Sequence, residues 1–210
     1  MPSDQTTPVI LFDMDGVLVD SEPLHMEVER AIFRELGLDI SLEEHHGFIG
    51  MVPLKIWTLI RDRYGLQEDP ATLKRREQER KFELFRQRDI PLVPGVRRLL
   101  ESFRERDYPL ALASSSPRQT IELFTEKTAT RPFFEFLLSG EEVPNGKPAP
   151  DIFLESARRL NADPAACLVI EDSANGVRAA KAADMTCIGF QNPHSGFQQL
   201  DAADLIIDSF

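Results

Sequence analysis

Short apolar runs alternate along much of the chain with longer stretches in which apolar residues recur at helical spacing. The apolar runs lie at 9–12, 110–113, 136–138, 168–170, 186–189 and 205–207. Amphipathic stretches between them include 96–105, 151–160 and 175–183. Four apolar residues bounded by polar ones are typical of a strand that is buried on both faces. The alternation therefore predicts an α/β core with a mainly parallel sheet and helices on both faces.

Residues 22–90 break this alternation. They are rich in Glu, Arg, Lys and Leu, and their apolar residues recur at helical spacing. Gly37, Gly65 and Pro70 mark helix ends or turns in this region. We interpret the pair His45-His46 as part of a loop. Two prolines and a glycine within 91–95 form a stiff linker before a new helix. The pattern predicts a helical segment inserted directly after the first strand.

Two carboxylates follow the first apolar run at once. Asp13 and Asp15 fall where a buried strand ends, and ligand sites of parallel sheets lie at the carboxyl ends of the strands. Two acids in one crevice repel each other unless a cation joins them, and oxygen ligands favour a hard ion such as Mg2+. The alternative is an acidic turn that only caps the following helix. The pair by itself leaves both interpretations open.

Further polar groups follow other predicted strands. Ser114 ends the run 110–113, Glu171-Asp172 ends the run 168–170, and Lys147 lies in a Gly-Lys-Pro loop. Taken singly, Ser114 reads as part of a helix cap and Lys147 as a solvated loop charge. Together they would all meet Asp13 at one edge of the sheet, which favours a site for phosphate chemistry.

These motifs carry a family resemblance over nearly the whole chain. In order, they are Asp13-Met14-Asp15-Gly16-Val17, Ser114, the run Lys147-Pro148-Ala149-Pro150-Asp151-Ile152-Phe153, and Glu171-Asp172-Ser173-Ala174-Asn175-Gly176. The chain resembles the haloacid dehalogenase superfamily, in its phosphatase and beta-phosphoglucomutase-like branch. The resemblance implies a Rossmann-like catalytic core formed by residues 1–20 and 95–210. It also implies that residues 21–94 form a small all-helical cap domain.

The resemblance implies a role for each catalytic group. Asp13 would attack phosphorus and form an aspartyl-phosphate, which splits one hard displacement into two easier ones. Asp15 would act as general acid and then as general base. Ser114 and the backbone amide of Ser115 would donate hydrogen bonds to the phosphoryl oxygens. Lys147 would neutralise the charge of Asp13 and of the phosphoryl group.

The resemblance also implies a Mg2+ site. Its ligands would be Asp172, one oxygen of Asp13 and the backbone carbonyl of Asp15, while Glu171 would bind directly or through water. Asn175 could orient Asp172, although Asn before Gly is also an ordinary choice for a turn.

Substrate contacts are expected from the predicted cap. Glu22 and His25 lie just after the first strand motif, and His25 matches a histidine of the phosphoglucomutase relatives. A histidine near a helix start is otherwise usually a surface residue. In the mutases, the segment after Gly50 carries an arginine for the distal phosphate, whereas this chain has Pro53 and Lys55. This departure favours hydrolysis over isomerisation.

Composition narrows the class of protein. The 35 acidic and 24 basic residues give a net charge of −11, which disfavours binding to nucleic acid or to an anionic membrane surface. No apolar stretch reaches the length of a membrane span, and the start of the sequence lacks the features of a signal peptide. A cytoplasmic monomer is expected. Cys167 and Cys187 have no CxxC spacing and are expected to be buried thiols.

The sequence therefore predicts a Mg2+-dependent phosphatase that hydrolyses a small phosphomonoester, such as a sugar phosphate, through an aspartyl-phosphate on Asp13. A phosphosugar mutase of the beta-phosphoglucomutase type is the alternative within the enzymes. A non-catalytic module that binds a phosphorylated ligand is the alternative outside them, and the presence of Asp15 and Lys147 argues against it.

Overall fold

The computed structural model describes residues 7–48 and 51–210 of the chain. The first six residues of the predicted core and Gly50 lie outside the described residues, whereas Pro53 and Lys55 lie in the helix Pro53–Tyr64. Two compact units divide the chain: one comprises the described residues up to Asp20 together with Ile90–Phe210, and the other comprises Ser21–Asp89. Residues 90–94, which the sequence predicts as the end of the cap, belong instead to the first unit. The backbone N–H of Val93 donates to the carbonyl of Leu18 at 3.1 Å, which ties this segment to the first unit.

The first unit, here called the core unit, contains a six-stranded parallel sheet. Its strands are β1 (Val9–Phe12), β2 (Leu110–Ser114), β3 (Phe136–Ser139), β4 (Cys167–Glu171), β5 (Thr186–Phe190) and β6 (Leu205–Ile207). They are arranged in the order β3-β2-β1-β4-β5-β6. β1 is central, and its Phe12 pairs with Leu112 of β2 and with Ile170 of β4. The chain crosses from β3 on one side of β1 to β4 on the other.

The described residues of the second unit, here called the helical unit, form four helices. They are α1 (Glu22–Glu35), α2 (Leu42–His46), α3 (Pro53–Tyr64) and α4 (Pro70–Gln87). Their apolar faces share one core, which contains Ile32, Phe33, Trp57, Ile60 and Leu73. Buried apolar residues recur three or four positions apart within a helix, as Val28 and Ile32 do in α1 and Trp57 and Ile60 do in α3, so each of these helices buries one apolar stripe.

His45 corrects one prediction. His45 and His46 lie in α2 rather than in a loop, and the side chain of Ser41 caps this helix by accepting from Glu44 N–H at 3.1 Å. The His45 ring is buried and packs edge-on against Phe33, with ring centroids 5.0 Å apart.

A chain of polar contacts runs through the helical unit. Trp57 Nε1 donates to Glu77, and Lys81 Nζ bonds both Glu77 and Glu29, the latter at 2.5 Å. Glu29 also lies 2.6 Å from His45 Nε2. Burial alone would raise the pKa of Glu29, but the charge of Lys81 and the bonds to His45 and Lys81 lower it to about 2. All four helices contribute a residue to this network.

Helices α5 (Val96–Glu105), α6 (Arg118–Lys127), α7 (Asp151–Arg159) and α8 (Ala174–Ala182) cover both faces of the sheet. Neighbouring residues of β1 face opposite sides, as the pleat of a strand requires. Leu11 belongs to the cluster that contains Phe153 of α7 and Val177 of α8. Phe12 packs instead against Phe103 of α5, with ring centroids 6.1 Å apart. The predicted α/β core with a parallel sheet and helices on both faces is confirmed.

A search of the described helices for a segment with the length and apolar character needed to cross a membrane found none.

Candidate active site

The site forms where three neighbouring strands end. Asp13 directly follows β1, Ser114 is the last residue of β2, and Glu171 is the last residue of β4. Since β2 and β4 flank β1 in parallel, their carboxyl ends meet at one edge. The backbone N–H of Asp13 donates to the Ile170 carbonyl at 3.0 Å, which extends the β1–β4 pairing to the site itself.

The ammonium of Lys147 contacts all three of these segments. Its Nζ lies 2.5 Å from Asp13 Oδ1, 2.6 Å from Glu171 Oε1 and 3.1 Å from the carbonyl oxygen of Ala113. Only 5% of the lysine side chain is exposed. Burial opposes the charge of this ammonium, but the carboxylates of Asp13 and Glu171 outweigh burial and raise the pKa of Lys147 above its ordinary value. The lysine is therefore held as a cation between the two acids.

Three carboxylates cluster around this cation. Asp13, Glu171 and Asp172 are buried, and each offers an oxygen that lies within 4.8 Å of the oxygens of the others. Burial raises the pKa of Asp13 to about 8, with Lys147 opposing and Glu171 adding to the shift. Burial and the charge of Glu171 also raise the pKa of Asp172. One ammonium does not balance three carboxylates, so this set of hard oxygen donors fits a further cation such as Mg2+.

Glu171 is held on both of its oxygens. Oε1 accepts from Lys147, while Oε2 accepts from the backbone N–H of Ser173 at 2.8 Å and from its hydroxyl at 2.9 Å. Ser173 also caps α8 by accepting from Gly176 N–H at 3.0 Å. A Cβ on Gly176 would overlap the Glu171 carboxylate, so the first turn of α8 leaves room for it. These contacts fix Glu171 as the group that orients Lys147.

Asp15 is linked to the segment after β2. Its Oδ2 accepts from the hydroxyl of Ser116 at 2.7 Å, across 101 residues of sequence. The charge of Asp15 contributes to the raised pKa of Asp13, which places the two carboxylates in one electrostatic neighbourhood. Between them and α1, Gly16 takes a φ of +78°, and its N–H donates to Val19 at 2.8 Å. The turn that carries both acids is thus closed by its own backbone.

The segment after β2 presents a run of serines. Ser114 is buried, and its Oγ accepts from the backbone N–H of Ser116 at 3.0 Å. Ser139, at the end of β3, donates its hydroxyl to the Ser116 carbonyl at 2.7 Å. Ser115 between them is exposed. Hydrogen bonds from the ends of β2 and β3 thus hold this turn in place. Donation of the Ser115 backbone N–H to a phosphoryl oxygen stays a prediction.

Three further predicted residues are Glu22, His25 and Asn175. Glu22 and His25 lie on α1 of the helical unit, where the His25 ring packs edge-on against Phe85 at 5.2 Å. Their predicted contact with substrate stays a prediction. Asn175 lies in the first turn of α8, and its orienting role also stays a prediction.

Sequence analysis missed the contribution of the segment after β5. Ser195 Oγ donates to Asp172 Oδ2, and Asn192 Nδ2 donates to the Gly16 carbonyl at 2.8 Å. Since β5 neighbours β4 in the sheet, its carboxyl end lies at the same edge as Glu171. The same strand-end rule that selected Ser114 would have selected this segment. Sequence analysis also assigned no role to Ser116, whose hydroxyl donates to Asp15.

Comparison with known proteins agrees with this arrangement. A family model described as haloacid dehalogenase-like hydrolase matches residues 7–184. The chain is 33% identical over 174 residues to a phosphorylated carbohydrates phosphatase from Thermotoga maritima, covering 83% of this chain and 80% of that protein. It is 34% identical over 188 residues to hexitol phosphatase B from Escherichia coli, covering 88% of this chain and 84% of that protein.

A solved structure is similar over nearly the whole chain. It comes from Thermotoga maritima and is provisionally described as a beta-phosphoglucomutase. The TM-score is 0.76 at 30% identity, and the match covers 95% of this chain and 94% of that one.

Proposed function

This chain belongs to the haloacid dehalogenase-like hydrolases and is a phosphoric monoester hydrolase; we propose that it acts on a small phosphorylated sugar or sugar alcohol through an aspartyl-phosphate. The predicted family is thereby confirmed. One observation carries the proposed chemistry: Asp13 is buried beside Lys147, 2.5 Å away, among further carboxylates at the end of the central strand. A carboxylate in this position can act as a nucleophile, because the ammonium of Lys147 already offsets the negative charge that collects there.

In the first step, an oxygen of Asp13 attacks phosphorus and the bond from phosphorus to the ester oxygen breaks. Asp15 gives its proton to the departing alkoxide, which leaves as a neutral alcohol. The hydroxyl of Ser116, 2.7 Å from Asp15 Oδ2, holds that carboxyl group in place. Lys147 offsets the negative charge that collects on Asp13 and on the phosphoryl oxygens during the approach.

In the second step, water attacks the phosphorus of the aspartyl-phosphate. Asp15, now a carboxylate, takes a proton from that water, and the bond between phosphorus and Asp13 breaks. The products are inorganic phosphate and the Asp13 carboxylate, while Asp15 is again protonated. The enzyme has returned to its starting state.

A Mg2+ ion fits the site because three buried carboxylates face one lysine. Asp13, Asp172 and the backbone carbonyl of Asp15 would hold it, with Glu171 contributing directly or through water. When bound, the ion would screen the like charges of nucleophile and phosphate. With the pKa of Asp13 at about 8, a second cation would also keep this carboxyl ionised at neutral pH.

The substrate class rests on two relatives. One is named as a phosphatase of phosphorylated carbohydrates and the other as a hexitol phosphatase, and both match more than four fifths of this chain. We assign the substrate to a small phosphomonoester of this kind. Recognition of its carbon skeleton is assigned to the helical unit as a cap, with Glu22 and His25 as the first candidates.

The test is a panel of hexose phosphates, hexitol phosphates, β-glucose 1-phosphate and p-nitrophenyl phosphate, assayed with Mg2+ and with EDTA. We expect Mg2+-dependent release of phosphate, loss of turnover in Asp13→Asn, and normal turnover in the control Asp62→Asn, whose residue is exposed on α3. Substantial activity of Asp13→Asn contradicts the nucleophile assignment. Absence of both phosphate release and isomer formation with every compound favours a binding module.

The panel also separates hydrolysis from isomerisation. A phosphosugar mutase would convert β-glucose 1-phosphate into glucose 6-phosphate without stoichiometric free phosphate. The similarity to a provisionally described beta-phosphoglucomutase makes this the outcome to exclude. Each reaction is therefore scored for both products.

A further inference from the structure

The segment after β5 is hydrogen-bonded to two parts of the carboxylate site, the Asp13–Gly16 turn and the start of α8. Asn192 Nδ2 donates to the Gly16 carbonyl, and Asn192 Oδ1 accepts from the backbone N–H of His194, each at 2.8 Å. Further along, Gln198 Oε1 accepts from the backbone N–H of Ala174 at 3.2 Å. These bonds tie residues 192–198, here called the β5 loop, to the Asp13–Gly16 turn and to the start of α8. The β5 loop is therefore held in a fixed position beside Asp172.

Ser195 lies in the β5 loop and is hydrogen-bonded to Asp172. Its hydroxyl donates to Asp172 Oδ2, and both residues are buried, at 7% and 6% exposure. The backbone N–H of Ser195 donates to the Asn192 carbonyl at 3.2 Å, and Gln198 Nε2 donates to the Ser195 carbonyl at 3.0 Å. The serine is thus fixed through both of its peptide groups, and its hydroxyl has a set direction.

The Asp172 carboxylate packs closely against the backbone of Gly16. A Cβ built on Gly16 would overlap Asp172 Oδ2 and would lie 2.8 Å from Ser195 Oγ. The bonded pair therefore fills the space that a side chain at position 16 would take. Rotation of the carboxylate away from Ser195 would break a buried hydrogen bond, which is unfavourable because the group would keep its desolvation penalty.

We propose that Ser195 is a positioning residue for cation binding: its hydroxyl occupies Asp172 Oδ2, so that Oδ1 is the oxygen that Asp172 presents to a divalent cation. The inference rests on the proposed function, since it needs the Mg2+ site. Partners that orient a ligating side chain typically change metal affinity by about 10–100-fold when they are removed. The effect is expected on the cation and not on the chemical step.

The experiment measures Mg2+ binding to the whole protein by calorimetry without substrate, and then the Mg2+ dependence of turnover. Ser195→Ala should bind Mg2+ about 10–100-fold more weakly, while kcat at saturating Mg2+ stays near the wild-type value. Ser195→Thr, which keeps the hydroxyl, should recover most of the affinity. Ser156→Ala is the matched control, because Ser156 is also buried but its hydroxyl donates to the Ile152 carbonyl at 2.8 Å.

The outcomes separate this inference from the proposed function. A wild-type protein that binds no Mg2+ overturns both. A wild-type protein that binds Mg2+, together with an equal affinity of Ser195→Ala, overturns the positioning role alone. If Ser195→Ala does not fold, Ser195→Cys keeps the volume with a weaker donor, and it should bind Mg2+ less tightly than Ser195→Thr. Equal affinity of those two variants also contradicts the proposal.

Discussion

The ammonium of Lys147 lies 2.5 Å from the carboxylate of Asp13, although 134 residues separate the two in the chain. The contact joins the end of the central strand β1 to a loop that follows the edge strand β3. It is a buried ion pair, and such a pair becomes strongly unfavourable when one partner is removed. Activity and stability therefore depend on the same contact.

We expect Lys147→Met to lower kcat by at least about 10²–10³-fold, the usual effect of removing one group that stabilises transition-state charge. In EDTA, the variant should also unfold at lower denaturant concentration. Because the carboxylates can take up protons instead, this loss of stability should be larger at pH 8 than at pH 5. Steady-state kinetics and urea unfolding check it. Lys127→Met, at an exposed position on α6, should change neither quantity.

The stability of the metal-free protein should depend on pH. Asp13 binds its proton more tightly in the folded chain, where its pKa is about 8, than at its ordinary pKa of 3.8. Between these values the folded state holds more protons than the unfolded state, so stability falls as pH rises, by up to about 1.4 kcal/mol per pH unit for one group. Above pH 8 this slope should vanish.

Melting curves in EDTA between pH 5 and 9 measure this slope. Mg2+ should raise Tm more at pH 8 than at pH 5, since protons and the cation compete for the same oxygens. Asp13→Asn in EDTA should show a flatter profile. A Tm in EDTA that rises steadily from pH 5 to pH 8 contradicts the electrostatic account of the cluster.

The two steps of the reaction should separate in Asp15→Asn. With a sugar phosphate, loss of the general acid should lower kcat by about 10²–10⁴-fold. With p-nitrophenyl phosphate the leaving group needs little protonation, so phosphorylation of Asp13 should outrun hydrolysis. Rapid-mixing measurements should then show a burst of nitrophenolate close to one equivalent per enzyme. A wild-type kcat on the sugar phosphate would contradict the role of Asp15.

In the helical unit, Lys81→Met should destabilise the protein by about 3–5 kcal/mol at pH 7, because Glu29 and Glu77 would stay buried without their cation. Trp57, the single tryptophan of the chain, bonds Glu77, so its fluorescence follows the unfolding of this unit in urea. The exposed pair Arg75–Glu79 supplies the control, and Arg75→Met should have little effect. Equal stability of the two variants would contradict the buried network.

The parts of the fold that the sequence predicted are those with local, repeated signals. β1 and β6 have the predicted bounds, and α5 begins and ends at the predicted residues, because apolar runs and amphipathic stripes mark them directly. The positions of Asp13, Ser114 and Glu171 follow from the rule that parallel strands end at one edge. Helix α6 was not predicted, because its apolar residues form too short a stripe between charged ones.

What sequence analysis missed depends on partners distant in the chain. The buried place of His45 requires Glu29, 16 residues earlier, and the bond from Ser195 to Asp172 spans 23 residues. The bond from Asn192 to Gly16 spans 176 residues. Such side-chain bonds are single, nonperiodic contacts, so they leave no pattern in hydrophobicity. Only the assembled backbone shows which polar residue meets which.

The junction of the core unit with the inserted helices has a consequence for exchange of the insert. Asp20 N–H donates to the Pro91 carbonyl at 2.9 Å, and Val19 pairs with Leu92 in an isolated antiparallel bridge, so the chain leaves the core unit and rejoins it at one small clasp. Lengthening the segment between such a clasp adds only a logarithmic entropy of closure. We therefore expect another module to be able to replace residues 21–89 while the carboxylate cluster keeps its geometry. Since substrate recognition is proposed for the helical unit, such a replacement would change the substrate and leave the proposed chemistry as it is.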